Sequence, residues 1–358
     1  MKTKHKIFFL ASAKSIHTFN WLEILSINTD YEITLFTTHS IKFNFNKNIK
    51  IIKLPFAAPF GYFLNYFILK KYLIKESPSI LHAFYATGYG FLGMLCNYKR
   101  FIISIWGSDV LVFPNKSFLH KFILKLILHR ANFICSTSNC MINEVIHLGV
   151  LKQKIYHIPF AVDTNLFKKI NIDNIKKRPF IIGTVKSLEI VYGIDIMIIA
   201  FAKILQKTDL TINLIIYGEG KEEFYLKNLV KKLNINEFVF FKGFIPNQEV
   251  PKVLNTFDIF FALSRSESFG VSVLEALSCE IPVICSRAVG FLEIINNNKN
   301  GILVNNQNID EIVENFLFLI ENSSIRYKLG NNGRNYVLEN FSKNIYKENI
   351  FKFYDVII

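Results

Sequence analysis

Several things are scarce or missing in this chain, and each absence closes a line of reasoning. The five cysteines (Cys96, Cys135, Cys140, Cys279 and Cys285) are odd in number, and no two form a Cys-x-x-Cys pair. They read as buried thiols in a reducing compartment, with neither a disulfide framework nor a metal site. No aspartate stands two residues from another, so the two-carboxylate Asp-x-Asp grip on a metal-bound nucleotide is absent. No unbroken apolar run approaches the roughly 18 residues of a membrane-spanning helix. Arginine-rich tracts and nucleic-acid-binding modules are also missing, which makes DNA or RNA a poor partner. The start, Met1 to Ala13, imitates a signal peptide, but its apolar core, Ile7 to Ala11, is shorter than the usual run of about seven or more. A first buried strand is expected there instead, in a cytoplasmic protein.

What is present suits a packed globular protein. The chain has 358 residues, 51% hydrophobic and 20% charged, a length that suggests two domains. The net charge of +14 is unevenly placed: residues 1–170 hold 21 Lys+Arg against 7 Asp+Glu, whereas residues 171–358 hold 21 of each. An excess confined to one half suggests an anionic partner such as an inner membrane face, an acidic glycan or a phosphorylated lipid. A basic surface kept for solubility is the plainer alternative. The segment from Ser117 to Arg130 adds Lys121, Lys125 and His129 on one stripe of an otherwise apolar helix, and Lys70, Lys71 and Lys75 form a second cluster. A basic amphipathic helix can lie at an anionic membrane; a core helix with one solvated stripe reads the same way.

Short apolar runs alternate with amphipathic stretches, the pattern of βα units and parallel sheets. Strands are expected at Lys6–Ala11, Glu32–Thr37, Ile49–Lys53, Ile80–Ala83, Phe101–Ile105, Phe133–Ser136 and Lys154–His157. Helices are expected at Ser15–Ile27, Tyr62–Lys75, Ser117–His129 and Asn139–Leu148. The pattern restarts with strands at Phe180–Val185, Thr211–Tyr217, Phe238–Phe241, Ile259–Ala262, Pro282–Cys285 and Gly301–Val304. This describes an α/β protein of two Rossmann-like domains, residues 1–160 and 179–342, with a linker at 161–178.

The most informative stretch is Glu267-Ser-Phe-Gly-Val-Ser-Val-Leu-Glu275. On a straight helix an eight-residue step rises about 12 Å, too far for a close acid/base couple and suited to a long ligand gripped at both ends. Ser268, Phe269, Gly270 and Val271 place backbone N–H groups at a helix start, which favours an anionic group such as a diphosphate. Gly270 permits close backbone approach. Two solvated helix carboxylates are the bland reading.

This pattern and the following Ala276-Leu-Ser-Cys-Glu-Ile-Pro-Val-Ile resemble the group 1 glycosyltransferases, a retaining family of GT-B fold. Further segments match in order: His157-Ile-Pro-Phe-Ala-Val-Asp, Ile182-Gly-Thr-Val-Lys-Ser-Leu with Gly183, the turn Gly218-Glu-Gly220, and Phe241-Lys-Gly-Phe-Ile-Pro-Asn with Ile245 facing the nucleobase. A third glycine at position 223 would suit dinucleotide binding, but Glu223 stands there. The resemblance implies two parallel-sheet domains facing across a cleft, with the final helix, 343–358, packed back on the N-terminal domain. It implies that Glu267 contacts the donor sugar, Glu275 the nucleotide ribose, and Lys186 the donor diphosphate in place of an arginine. A lysine there is a point charge without the bidentate fork.

The chain also departs from the family. The second basic residue expected just before Gly193 is replaced by Val191 and Tyr192, and the N-terminal glycine pair by Ala11-Ser-Ala-Lys-Ser. Ile105-Trp-Gly-Ser-Asp resembles the acceptor-side loop, with Trp106 where many members have histidine; Asp109 is its remaining polar candidate, against a loop-capping alternative. His82 matches a family histidine and equally suits a packed, hydrogen-bonded one. The implied activity is metal-independent, retaining hexosyl transfer from a UDP- or GDP-sugar to a glycan or lipid-linked acceptor, in capsule or lipopolysaccharide synthesis, with no cofactor. A nucleoside diphosphate is a stabilised leaving group that needs charge stabilisation more than a strong acid. A nucleotide-sugar epimerase and a non-catalytic sugar-nucleotide-binding subunit are the rival expectations.

Overall fold

A computed structural model describes residues 4–170 and 178–358. The part of the expected linker at 171–177 lies outside the described residues. The chain divides into two compact units, one holding residues 1–160 and 346–358, the other residues 161–345.

In the first unit seven strands form one parallel sheet: β1 (His5–Leu10), β2 (Tyr31–Thr37), β3 (Ile49–Lys53), β4 (Ile80–Phe84), β5 (Phe101–Ile105), β6 (Phe133–Ser136) and β7 (Ile155–His157). Their order is β3-β2-β1-β4-β5-β6-β7. Every residue of β4 and β5 is buried, because helices cover both faces of a parallel sheet and its central strands read as continuous apolar runs. One face carries the helices Gly61–Leu64, Tyr66–Glu76, Tyr89–Cys96, Phe118–Arg130 and Asn139–His147, whose buried side chains join Phe8, Leu10, Leu81 and Ile103 in a single core. The continuous helix expected over Tyr62–Lys75 breaks at Asn65. That side chain is fully buried and donates to the carbonyls of Phe56 and Gly61, which pins the preceding loop into the helix joint.

Three aromatic residues of the last helix, Lys343–Ile357, are buried in this first unit: Tyr346, Phe353 and Tyr354. Tyr354 places its hydroxyl 2.6 Å from Nδ1 of His82, and Tyr346 packs edge-on against Trp21.

The second unit repeats the plan with six parallel strands: β8 (Phe180–Val185), β9 (Ile212–Tyr217), β10 (Val239–Gly243), β11 (Ile259–Ala262), β12 (Val283–Ser286) and β13 (Ile302–Val304), ordered β10-β9-β8-β11-β12-β13. The direction of strand addition reverses between β8 and β11, so the loops after those two neighbouring strands part to opposite sides. In open parallel sheets such a switch point, at the carboxyl edge, is where ligands bind. Among the described residues, no helix is long and apolar enough to cross a membrane.

Candidate functional site

Lys186 leaves the end of β8, and Glu267 follows β11, the strand paired beside it. Across the switch point Lys186 Nζ lies 2.6 Å from Glu267 Oε2, both side chains largely shielded at 17% and 11% exposure. The ammonium also stands 4.5 Å from the centroid of the Tyr192 ring. The Tyr192 ring thus steadies the Lys186 cation, a contact strengthened by shielding from water.

The loop carrying Glu267 is fixed from two sides. Gly290 donates to the Glu267 carbonyl at 2.9 Å, and Phe269 is buried with its ring against Phe341. The helix Val271–Ser278 then begins at Gly270, whose φ of 106° lies in the left-handed region and whose missing Cβ would stand 2.8 Å from the Phe291 ring. The cap residue, Gly270, brings no side chain to bond the first-turn N–H groups. Ser272 Oγ, inside the first turn, is closed off from solvent with no hydrogen-bond partner among the described residues. Backbone N–H groups at a helix start favour an anionic group in front of them.

Glu275 stands one turn further along, half-buried, and accepts a 3.4 Å hydrogen bond from Asn247 Nδ2. Burial pushes its carboxyl up to about 7, against the opposing pull of Asn247 and the Lys186 charge. The straight-helix step between the two glutamates does not describe the pair, because Glu267 precedes the helix. Both carboxylates instead lie within the field of one cation, Lys186.

The remaining positions divide by role in the backbone. Gly218 has a φ of 134°, and a Cβ there would stand 1.9 Å from the Lys186 carbonyl oxygen. Its absence lets the turn after β9 close on the Lys186 backbone, with Lys186 N–H donating to the Tyr217 carbonyl at 2.9 Å. Gly183 is buried within β8, where its missing side chain makes room for the Phe257 ring. Ile245 is half-buried after β10, two residues before Asn247, and Ser268 and Val271 are half-buried beside the helix start.

Asp109 belongs to the first unit and is wholly buried. Its Oδ2 accepts from Ala86 N–H at 2.8 Å, and its Oδ1 from Gly107 and Trp106 N–H at 2.9 and 3.2 Å. Burial outweighs these bonds and raises its carboxyl above the usual range. His82 is likewise fully buried, bonded to Tyr354 and, through Nε2, to Ser104 Oγ at 2.9 Å.

Sequence reasoning passed over two supporting residues. Arg265 forms a bidentate pair with Asp195 at 2.8 and 2.6 Å and donates to the Ile190 carbonyl at 2.7 Å, which ties the loop after β11 to the segment carrying Tyr192. Asn247 holds Glu275. An arginine two residues before Glu267 was a visible signal; the Asn247 contact was not. Among the described residues no group of three His, Cys, Asp or Glu side chains is arranged to hold a metal ion.

Comparisons with known proteins bear on the family and the fold. The family model for glycosyl transferases group 1 matches residues 167–336, and that for glycosyl transferase 4-like proteins matches residues 6–138. The N-acetyl-alpha-D-glucosaminyl L-malate synthase of Bacillus anthracis is 26% identical over 79% of this chain and 76% of its own. The N-acetylgalactosamine-N,N'-diacetylbacillosaminyl-diphospho-undecaprenol 4-alpha-N-acetylgalactosaminyltransferase of Campylobacter jejuni is 25% identical over 78% of this chain and 75% of its own. The crystal structure of HepE from Anabaena in complex with UDP-glucose superposes with a TM-score of 0.80, at 17% identity, over 98% of this chain and 99% of that one. The fold is the GT-B type, and the chain belongs to the group 1 glycosyltransferases.

Proposed function

We propose that the protein moves a hexosyl group from a UDP-sugar to a lipid-linked or glycan acceptor in cell-surface polysaccharide synthesis, without a metal ion and with retention of configuration. The observation that carries this reading is the Lys186–Glu267 pair at the switch point, beside the helix start at Gly270. The donor diphosphate would lie against Lys186 and the amides near Gly270, Glu267 would accept hydrogen bonds from the sugar hydroxyls, and Glu275 would grip the ribose. As the bond from the anomeric carbon to the diphosphate oxygen breaks, the acceptor hydroxyl adds on the same face and its proton passes to the departing phosphate oxygen. Lys186 offsets the charge that grows on the leaving group, the place where fixed charge lowers a barrier most. Asp109 holds the loop of Trp106 and Gly107 in shape and does not react.

The choice of UDP follows the UDP-glucose bound to the Anabaena relative in fold, and the lipid-linked acceptor follows the undecaprenol-linked substrate in the name of the Campylobacter relative. A thermal-shift series with UDP, GDP and their sugars tests the donor, because a ligand that binds only the folded state raises apparent stability. UDP and a UDP-sugar raise the melting temperature, and the same sugar is then transferred to an undecaprenyl diphosphate-linked acceptor. No shift with any nucleoside diphosphate would remove the donor site. Interconversion of the donor sugar with no acceptor present would favour epimerase chemistry.

A further inference from the structure

The first unit exposes large apolar side chains where a water-facing surface ordinarily has few. Phe60, Phe63 and Phe67 project from the loop and helices around Gly61–Leu64 and Tyr66–Glu76, at 78%, 61% and 70% exposure. Phe118 and Phe122, one helical turn apart on Phe118–Arg130, are 86% and 49% exposed. Both helices bury their opposite sides, Leu69 and Leu73 on one and Leu124 and Leu128 on the other, in the same core against the same sheet face. The helix Tyr89–Cys96 lies between them and touches both, and Lys70 Nζ donates to its last carbonyl, Cys96 O, at 2.7 Å. The exposed phenylalanines therefore all look outward from one helical layer.

Charge says what covers this face. Lys71, Lys75, Lys121 and Lys125 are exposed on the same two helices. Their one carboxylate, Glu76, is held by Lys6 at 2.6 Å. Symmetric self-association through this face would set lysine against lysine, since a twofold contact pairs a patch with its own copy. Aromatic rings between lysines suit instead the interface of an anionic bilayer, where rings settle at headgroup depth and ammonium groups meet lipid phosphates. We infer that the outer face of helices Tyr66–Glu76 and Phe118–Arg130 docks the protein on an anionic lipid bilayer, with the phenylalanines inserted and the lysines on the headgroups. This docking stands apart from sugar transfer and is read without donor or acceptor.

Flotation of the full chain with vesicles of phosphatidylcholine, alone and mixed with phosphatidylglycerol, tests it. The protein floats with the mixed vesicles, and added salt releases most of it. Reversal of two charges in Lys121→Glu/Lys125→Glu lowers the partition coefficient about 20-fold or more, at the worth of one basic residue near such a surface. Phe118→Ser/Phe122→Ser lowers it at least tenfold, and so does Phe60→Ser/Phe67→Ser, one ring in the loop before Gly61–Leu64 and one on Tyr66–Glu76, which guards against one variant misfolding. Unchanged tryptophan emission from Trp21 and Trp106, both in this unit, confirms that a variant is folded. Three results would overturn the inference: no binding to mixed vesicles, equal binding by folded variants, or a dimeric mass in light scattering that Phe118→Ser/Phe122→Ser returns to monomer.

Discussion

The two units share one topology and use it differently. In the second, the polar side chains gather at the carboxyl edge of the sheet, where Lys186 and Glu267 meet across the strand reversal and Glu275 stands just behind. In the first, the comparable polar residues turn inward: His82 is bonded between Tyr354 and Ser104, and Asp109 accepts three backbone N–H groups. The first unit puts its unsatisfied chemistry on its outer helices instead, as phenylalanines and lysines. A shared fold thus carries a polar sheet edge in one half and an exposed layer of rings and lysines in the other. The site residues, not the fold, tell them apart.

The sharpest test of that contrast sets Glu267 against Asp109. Glu267→Gln keeps a hydrogen-bond partner for Lys186 but removes the charge; Glu267→Ala removes both. Each is expected to lower kcat/KM by about 10²- to 10³-fold, the usual effect of deleting one group that acts on the transition state, while the donor-free melting curve moves little. Asp109→Asn turns an amide N–H₂ toward backbone donors, so it should cost about 1–3 kcal/mol of stability and leave kcat/KM of the folded fraction nearly unchanged. Full transfer by both Glu267 variants, or a large loss of rate in a fully stable Asp109→Asn protein, would erase the difference between the units.

Much of the architecture was legible because it depends on local apolar runs. Ile49–Lys53, Phe101–Ile105, Phe133–Ser136, Phe180–Val185 and Ile259–Ala262 are strands over the same residues in sequence and structure. The helix over Tyr62–Lys75 was misread because Asn65 looks ordinary until its buried bonds to Phe56 and Gly61 are seen. The spacing of Glu267 and Glu275 was visible, but its straight-helix geometry was not the one adopted: Gly270 opens the helix three residues after Glu267. Contacts that complete the candidate site join residues far apart in the chain, such as Arg265 with Asp195 and Asn247 with Glu275. No periodicity encodes them, since they exist only once β8, β10 and β11 lie in one sheet.

A second test probes how the polar edge is built. Gly218→Ala would drive a methyl group to 1.9 Å from the Lys186 carbonyl and hold alanine at a φ of 134°. The turn must open, at a cost on the order of 2–4 kcal/mol. Because the turn backs Lys186, donor affinity should fall together with stability. A melting curve equal to that of the parent would mean that the turn is not packed on Lys186 as described.

The smallest expected effect is a difference in sign. Burial lowers His17 to about 4 and His82 to about 3, from 6.5. Below about pH 6.5 the unfolded chain binds protons that these native histidines refuse, so the first unit loses stability as the pH falls. Glu275 runs the other way, because its native carboxyl is raised from 4.5 to about 7. Between those values the folded state holds a proton that the unfolded chain has released, so the second unit loses stability as the pH rises, and the loss levels off above about 7. Both tryptophans lie in the first unit, so their emission follows that unit alone, and its denaturation midpoint should drop on acidification. Glu275→Gln removes the burdened carboxylate: by calorimetry it should stabilise the donor-free protein by about 1–2 kcal/mol near pH 8 and hardly at all near pH 5, allowing for partial solvent screening. The same variant should show a weaker UDP-induced shift, because the charge that costs stability in the empty protein is the one proposed to hold the ribose. A midpoint near pH 8 that stays level or falls would mean the carboxyl is solvated and gains nothing from being neutral.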